Sequence, residues 1–180
     1  MILSLTVLTI VIGSILAGVS LLTAEPIREA SLKARLEAMS AVLPEFDNDI
    51  FGTAVTTDDG LTVYTASLGG EPAGTAVETF SDDGFSGRIT IIAGFGQDGA
   101  VTGYRVLEHA ETPGLGARMS EWFAAEGTSH NVLGTTGMLR VSNDGGDTDA
   151  ITGATITSRA FLDALNKARK AAAEHKNINR

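Results

Sequence analysis

Two short passages concentrate the residues that could do chemistry in this chain. The first is Asp149-Ala-Ile-Thr-Gly-Ala-Thr-Ile-Thr-Ser158, where Thr152, Thr155, Thr157 and Ser158 crowd around Gly153 and Ala154 just ahead of a helix-forming stretch. Unpaired amides at a helix start, together with the helix dipole, form a ready site for a phosphate group. Gly153 and Ala154 have too little side chain to keep a phosphate off the backbone. Ser and Thr are also common helix caps, so these residues alone read better as a plain helix start. The second passage is His109-Ala-Glu-Thr-Pro-Gly-Leu-Gly116. Pro113 and Gly114 are ordinary turn residues. Leu115 between two glycines, however, is an apolar side chain on an open backbone, which can lie flat on a planar ring while Thr112 and backbone amides reach its polar edge.

Composition narrows the field. There is no cysteine, which removes disulfides, thiolate nucleophiles, iron–sulfur clusters and thiolate zinc sites together. His109, His130 and His175 lie far apart without metal-motif spacing, so no metal site is expected. Redox work would then fall to an organic cofactor. The net charge of -9 opposes binding to nucleic acid. No GxGxxG or GxxxxGK[ST] phosphate loop occurs.

The elements that must position these passages follow from periodicity. Ile2 to Ala24 carries no charged side chain. At 1.5 Å per residue it reaches roughly 34 Å, enough to cross a bilayer, and 1–24 is read as a transmembrane anchor. Residues 25–44 form an amphipathic stalk helix, with Pro26 in its first turn, Pro44 at its end, and Ile27, Leu32, Leu36, Met39 and Leu43 near one face. Within 45–176, strands are expected at Leu61–Leu68, Arg88–Phe95 and Val101–Glu108. Gln97-Asp98-Gly99 turns the last two into a hairpin. Gly114–Ala125 reads as a helix with Trp122 and Phe123 in the core, Gly137–Ser142 as a further strand, and Thr155–His175 as an amphipathic helix. Residues 177–180 are a short tail. Strands in the middle with helices at both ends give an α+β fold, an antiparallel sheet packed by helices and preceded by one transmembrane helix.

Taken together, Glu-Thr-Pro-Gly-Leu-Gly (111 to 116) followed by Asp-x-x-Thr-Gly-Ala-Thr-x-Thr (149 to 157) resembles the FMN-binding domain of the Rnf and Na⁺-translocating NADH:quinone reductase complexes. The short length is more similar to the G-type component of Rnf than to the longer C-type component of the quinone reductase. The resemblance implies FMN joined by a phosphoester to Thr157, placed there by an ApbE-type flavin transferase. Asp149, Thr152, Gly153, Ala154 and Thr155 would form the recognition sequence. Glu111, Thr112, Leu115 and Gly116 would line the isoalloxazine. It further implies an electron-transfer component, not an independent enzyme, in an ion-translocating ferredoxin:NAD oxidoreductase with other membrane subunits as partners. The single-pass protein would sit in the cell inner membrane with its soluble domain on the periplasmic side. Arg28, Lys33 and Arg35 just after the span read against that orientation under the positive-inside rule. Two other readings compete: a stand-alone FMN carrier of a respiratory chain, and a membrane-tethered structural or ligand-binding module without flavin.

Overall fold

The computed structural model describes residues 2–178; Met1 and the last two residues of the expected 177–180 tail lie outside the described residues. Helix α1 spans Ile2–Val42 without interruption. Pro26, read as a first-turn residue, lies inside this helix. Proline removes one backbone bond, whereas ending the helix and starting another would leave up to four unsatisfied groups at each new terminus. Residues 1–37 form one unit and 38–180 a second.

In the first unit, α1 is long and apolar enough to cross a membrane. Four of its hydroxyls bond back to the helix's own carbonyls. Thr6, Thr9, Ser14 and Thr23 donate to the carbonyls of Ile2, Leu5, Ile10 and Val19, at 2.8–3.0 Å. This is how a polar side chain is carried in a medium that offers no hydrogen bonds.

The second unit is built on a five-stranded antiparallel sheet in the order β1-β2-β3-β4-β5, with β1 Val55–Thr56, β2 Thr62–Leu68, β3 Glu71–Gly84, β4 Gly87–Phe95 and β5 Val101–Glu108. The α+β architecture expected from sequence is the observed one. β3 is the longest strand and has no counterpart among the expected ones. Pro72 lacks an N–H, and it falls where the β2–β3 register shifts, a position that tolerates the missing donor.

Each sheet face covers a different core. On one face, Val63, Val77, Ile89, Ile91 and Ala93 pack against Phe161, Leu162, Leu165 and Ala168 of helix α3, Thr155–Ile178. Thr79 donates to the Ala164 carbonyl at 3.2 Å and Ser81 to Asp163 at 3.1 Å, pinning α3 along β3. On the other face, Tyr64, Ala66, Ala76 and Ile92 meet Ala38, Met39, Val42 and Leu43 from the end of α1. Of the five apolar residues that the sequence places near one face of the stalk, Met39 and Leu43 are core, while Ile27, Leu32 and Leu36 stay exposed. The expected helix Gly114–Ala125 is a 3-10 turn, Gly116–Arg118, followed by a single α-turn, α2 Met119–Trp122. The expected strand Gly137–Ser142 is reduced to one bridge, Val141 to Thr148. At its C-terminus α3 runs on to Ile178.

Candidate functional site

The first i to i−4 hydrogen bond of α3 runs from the Ser158 N–H to the Ala154 carbonyl, at 3.0 Å. That leaves the amides of Thr155, Ile156 and Thr157 as first-turn donors without an acceptor inside the helix. Ser158 braces the approach. Its hydroxyl donates to the Ala154 carbonyl at 2.9 Å and accepts the Ile151 N–H at 3.0 Å. Gly153 holds a φ of +77°, the left-handed conformation that turns the chain into the helix. The small-residue turn is the one expected from sequence, and the Ser158 brace adds to it.

The 109–116 passage, 46 residues away from Thr157 at Glu111, lands on this helix start. The Thr157 hydroxyl donates to Glu111 Oε2 at 2.8 Å. Glu111 Oε1 accepts the Ser86 N–H at 3.0 Å, from the turn joining β3 to β4. The Glu111 N–H donates to His109 Nδ1 at 3.2 Å, so that nitrogen is the unprotonated one. Both ends of the Thr157–Glu111 pair are buried, at 1% and 5% exposure. Gly116 lies over them: a Cβ there would sit 2.5 Å from Glu111 Oε2 and 2.7 Å from Thr157 Oγ1. Leu115 continues the cover, its Cδ2 3.5 Å from where a Gly153 Cβ would be. Glu111 thus meets the Thr157 hydroxyl.

The loop is held from below. Tyr104, at the centre of β5, donates its phenol to the Met119 carbonyl at 2.7 Å. Burial pushes the Tyr104 phenol far above its ordinary range, so it stays a donor at every physiological pH. Its ring meets Phe161 edge-on at 4.8 Å, and Phe161 stacks on Phe123 at 4.5 Å. Phe123 is core, as expected. Trp122 is not fully buried: it stacks on His130 at 4.0 Å, with the Arg118 guanidinium 4.7 Å from its ring centre.

Trp122 and His130 line an open cleft of ≈ 690 Å³ together with Ser129, Asp149, Thr152 and Thr155. Asp149 organises one wall. Its carboxylate accepts from Ser129 and Ser142, and its carbonyl accepts the Trp122 indole N–H at 3.1 Å. The two serine hydroxyls hold the Asp149 carboxyl below the usual carboxylate range. A separate cavity of ≈ 530 Å³, lined by Phe95, Arg169 and Lys176, lies toward the far end of α3 and touches none of the motif residues. Thr112, Leu115, Thr152 and Gly153 are exposed, Thr155 is half-buried and Ala154 is buried. Thr157, Glu111 and Gly116 meet one another, whereas of the motif residues Asp149, Thr152 and Thr155 line the cleft. Ser86, Ser129, Ser142, Trp122 and His130 join them without any sequence signal that marks them for it.

Residues 84–170 match the family described as the FMN-binding domain. The G component of the ion-translocating oxidoreductase complex of Vibrio atlanticus is 34% identical over 160 residues, covering 82% of this chain and 77% of that protein. The corresponding protein of Vibrio cholerae is 35% identical over 171 residues, covering 86% and 80%. The crystal structure of Shewanella oneidensis NqrC superimposes on 70% of this chain and 64% of its own, with a TM-score of 0.48 and 20% identity.

Proposed function

The chain belongs to the family of G components of ion-translocating oxidoreductase complexes, and from that premise we propose that it carries FMN esterified to Thr157 and relays electrons inside an Rnf-type ferredoxin:NAD oxidoreductase. The observation that supports this reading is the meeting of the two motifs: the hydroxyl of Thr157 donates to Glu111 next to Gly116, and Leu115 approaches Gly153. A hydroxyl at a helix start is where a phosphoester gains the free amides of Thr155, Ile156 and Thr157 as donors.

The residues fit a flavin phosphate in kind. The helix start offers amides and a small-residue turn for the phosphate, and the exposed side chains of Leu115, Ile156 and Phe85 offer apolar surface for a ring. When bound, FMN supplies the capacity to take and release electrons singly or in pairs. The protein's part is to hold it. Thr157 fixes the attachment point, the Ser158 brace keeps the turn rigid, and Asp149 with Ser129 and Ser142 orders the cleft wall. No side chain is required to act as acid or base in the electron transfer itself.

Maturation requires a flavin transferase of the ApbE type as a partner, and the relay requires other membrane subunits. α1 anchors the protein, with residues 38–180 on the extracytoplasmic side. Protease added to spheroplasts should digest that domain, and protection would reverse the orientation. For the attachment, the full chain is co-expressed with an active transferase. Wild type should gain the mass of one FMN less water and fluoresce on a denaturing gel, whereas Thr157→Ala should do neither. Covalent flavin on the Thr157→Ala protein would overturn the assignment.

A further inference from the structure

We propose that Glu111 is the proton acceptor and positioning group for flavin attachment, the residue that makes the Thr157 oxygen a nucleophile. The proposal rests on Thr157 being the flavin-bearing residue. An ordinary threonine hydroxyl is a weak nucleophile and needs a base within hydrogen-bond reach. Here a carboxylate oxygen lies 2.8 Å from Oγ1, with the hydroxyl as donor, so the lone pairs of Oγ1 are directed away from Glu111.

One carboxylate oxygen is held from outside the 109–116 passage. Ser86 N–H holds Oε1 from the β3–β4 turn, and the Glu111 backbone is held by His109 at the end of β5. The cover is Leu115–Gly116, beyond Pro113 and beyond Gly114, whose φ is +78°. Thr157 is buried, so attachment requires Oγ1 to be uncovered, and the Ser86 N–H is a hold on Glu111 from outside the covering residues. Glycines at 84 and 116 are what let Glu111 sit so close. A Cβ at Gly84 would stand 2.8 Å from Glu111 Oε1, and one at Gly116 2.5 Å from Oε2.

The step balances with a flavin dinucleotide as co-substrate. Thr157 Oγ1 bonds to the phosphorus on the flavin side of the pyrophosphate. The bond from that phosphorus to the bridging oxygen breaks, and AMP leaves with the oxygen and its electron pair. The hydroxyl proton passes to Glu111 Oε2. No oxidation or reduction occurs.

The test uses the full chain in detergent as substrate for a purified flavin transferase with FAD and Mg²⁺, following covalent labelling over time. Glu111→Gln keeps the shape, but its amide then donates to Oγ1 while its oxygen keeps the Ser86 N–H. The expected result is a labelling kcat roughly 10²-fold below wild type, with KM for this protein unchanged and the unfolding midpoint within a few degrees. Glu111→Asp, a carboxylate drawn back by one methylene, should fall between the two. Labelling of both variants at the wild-type kcat would overturn the proposal, as would a loss confined to KM or to folding in both. If wild type itself remains unlabelled, the flavin reading fails, and the proposal fails with it.

Discussion

The single proton on the Thr157 hydroxyl is directed at Glu111, and an ester oxygen has none to give. The proposed attachment would therefore not leave this pair as it is. A phosphate on Thr157 would bring negative charge up to a carboxylate in a water-poor pocket, where like charges repel far more than in solvent. Gly116 is the residue that lets the unmodified site close over this pair. Its missing Cβ leaves room for Glu111 Oε2 and Thr157 Oγ1 at distances no real side chain tolerates. Gly116→Ala should accordingly push the loop off this pair. Expected is a loss of about 1–3 kcal/mol in the stability of the unmodified protein, read by denaturant melts, with faster amide exchange across 112–118. An unchanged midpoint would mean that Gly116 does not pack on the pair. The motif residues were legible in the sequence because they occur in two compact runs whose chemistry shows in their types. Ser86 was not legible. It lies in the tip of a generic hairpin, and only the fold brings its amide to a carboxylate 25 residues further on.

Among the elements, the hairpin β4–β5 has the most work to do, because one face carries the core beneath α3 and the other receives the end of α1. Gly94 and Gly103 are cross-strand partners. A Cβ on Gly94 would lie 2.0 Å from the Val42 carbonyl oxygen, and one on Gly103 would lie 3.0 Å from Val42 Cα. The paired glycines make a bare patch on the sheet, and the last turn of α1 sits in it. Thr102 completes the seat by donating its hydroxyl to the Val42 carbonyl. Gly94→Ala sets a methyl against a backbone atom, which no rotamer change can relieve. The expected cost is roughly 1–3 kcal/mol, with a fall in melting temperature of about 2–12 °C for a chain of this size. Gly13→Ala, which meets nothing within 4 Å, should leave the midpoint of the domain unmoved. Equal melting of the two variants would show that α1 does not rest on this patch. β4 and β5 could be read directly, because apolar β-formers flank an Asp-Gly turn. β3 was hidden by Pro72, Gly74 and acidic residues that a free strand would avoid but a bulged one accommodates. The helix expected at 114–125 failed for the opposite reason. Its apolar spacing is right, but Gly114 at a φ of +78° and the tight turn at Gly116 spend the first half in a loop.

At the scale of the whole molecule, the question is where anchor ends and domain begins, since a single helix serves both. Sequence patterning alone starts the FMN-binding domain at residue 45, with 25–44 as a stalk. The helix ends at Val42, and the compact unit begins at Ala38. Met39, Val42 and Leu43 are all but fully buried, in a cluster with Tyr64, Ala66, Ala76 and Ile92. Burial of an aliphatic side chain of this size stabilises by about 1.5–3 kcal/mol. The three together approach about 5–9 kcal/mol, comparable to the whole stability of an ordinary domain. Two truncations separate the possibilities. A chain beginning at Arg35 keeps the last turns of α1 and sheds the apolar span, so it should be water-soluble, melt cooperatively and accept flavin as the full chain does. A chain beginning at Glu45 keeps every motif residue but uncovers Ile92 and the glycine patch. It should aggregate, or bind a hydrophobic dye without a cooperative melt, and take up flavin poorly although Thr157 and Glu111 are intact. Cooperative melting of both truncations at the same temperature would mean that the end of α1 is a tether only. Failure confined to the shorter chain would make the membrane helix's final turns part of the fold that holds the flavin site.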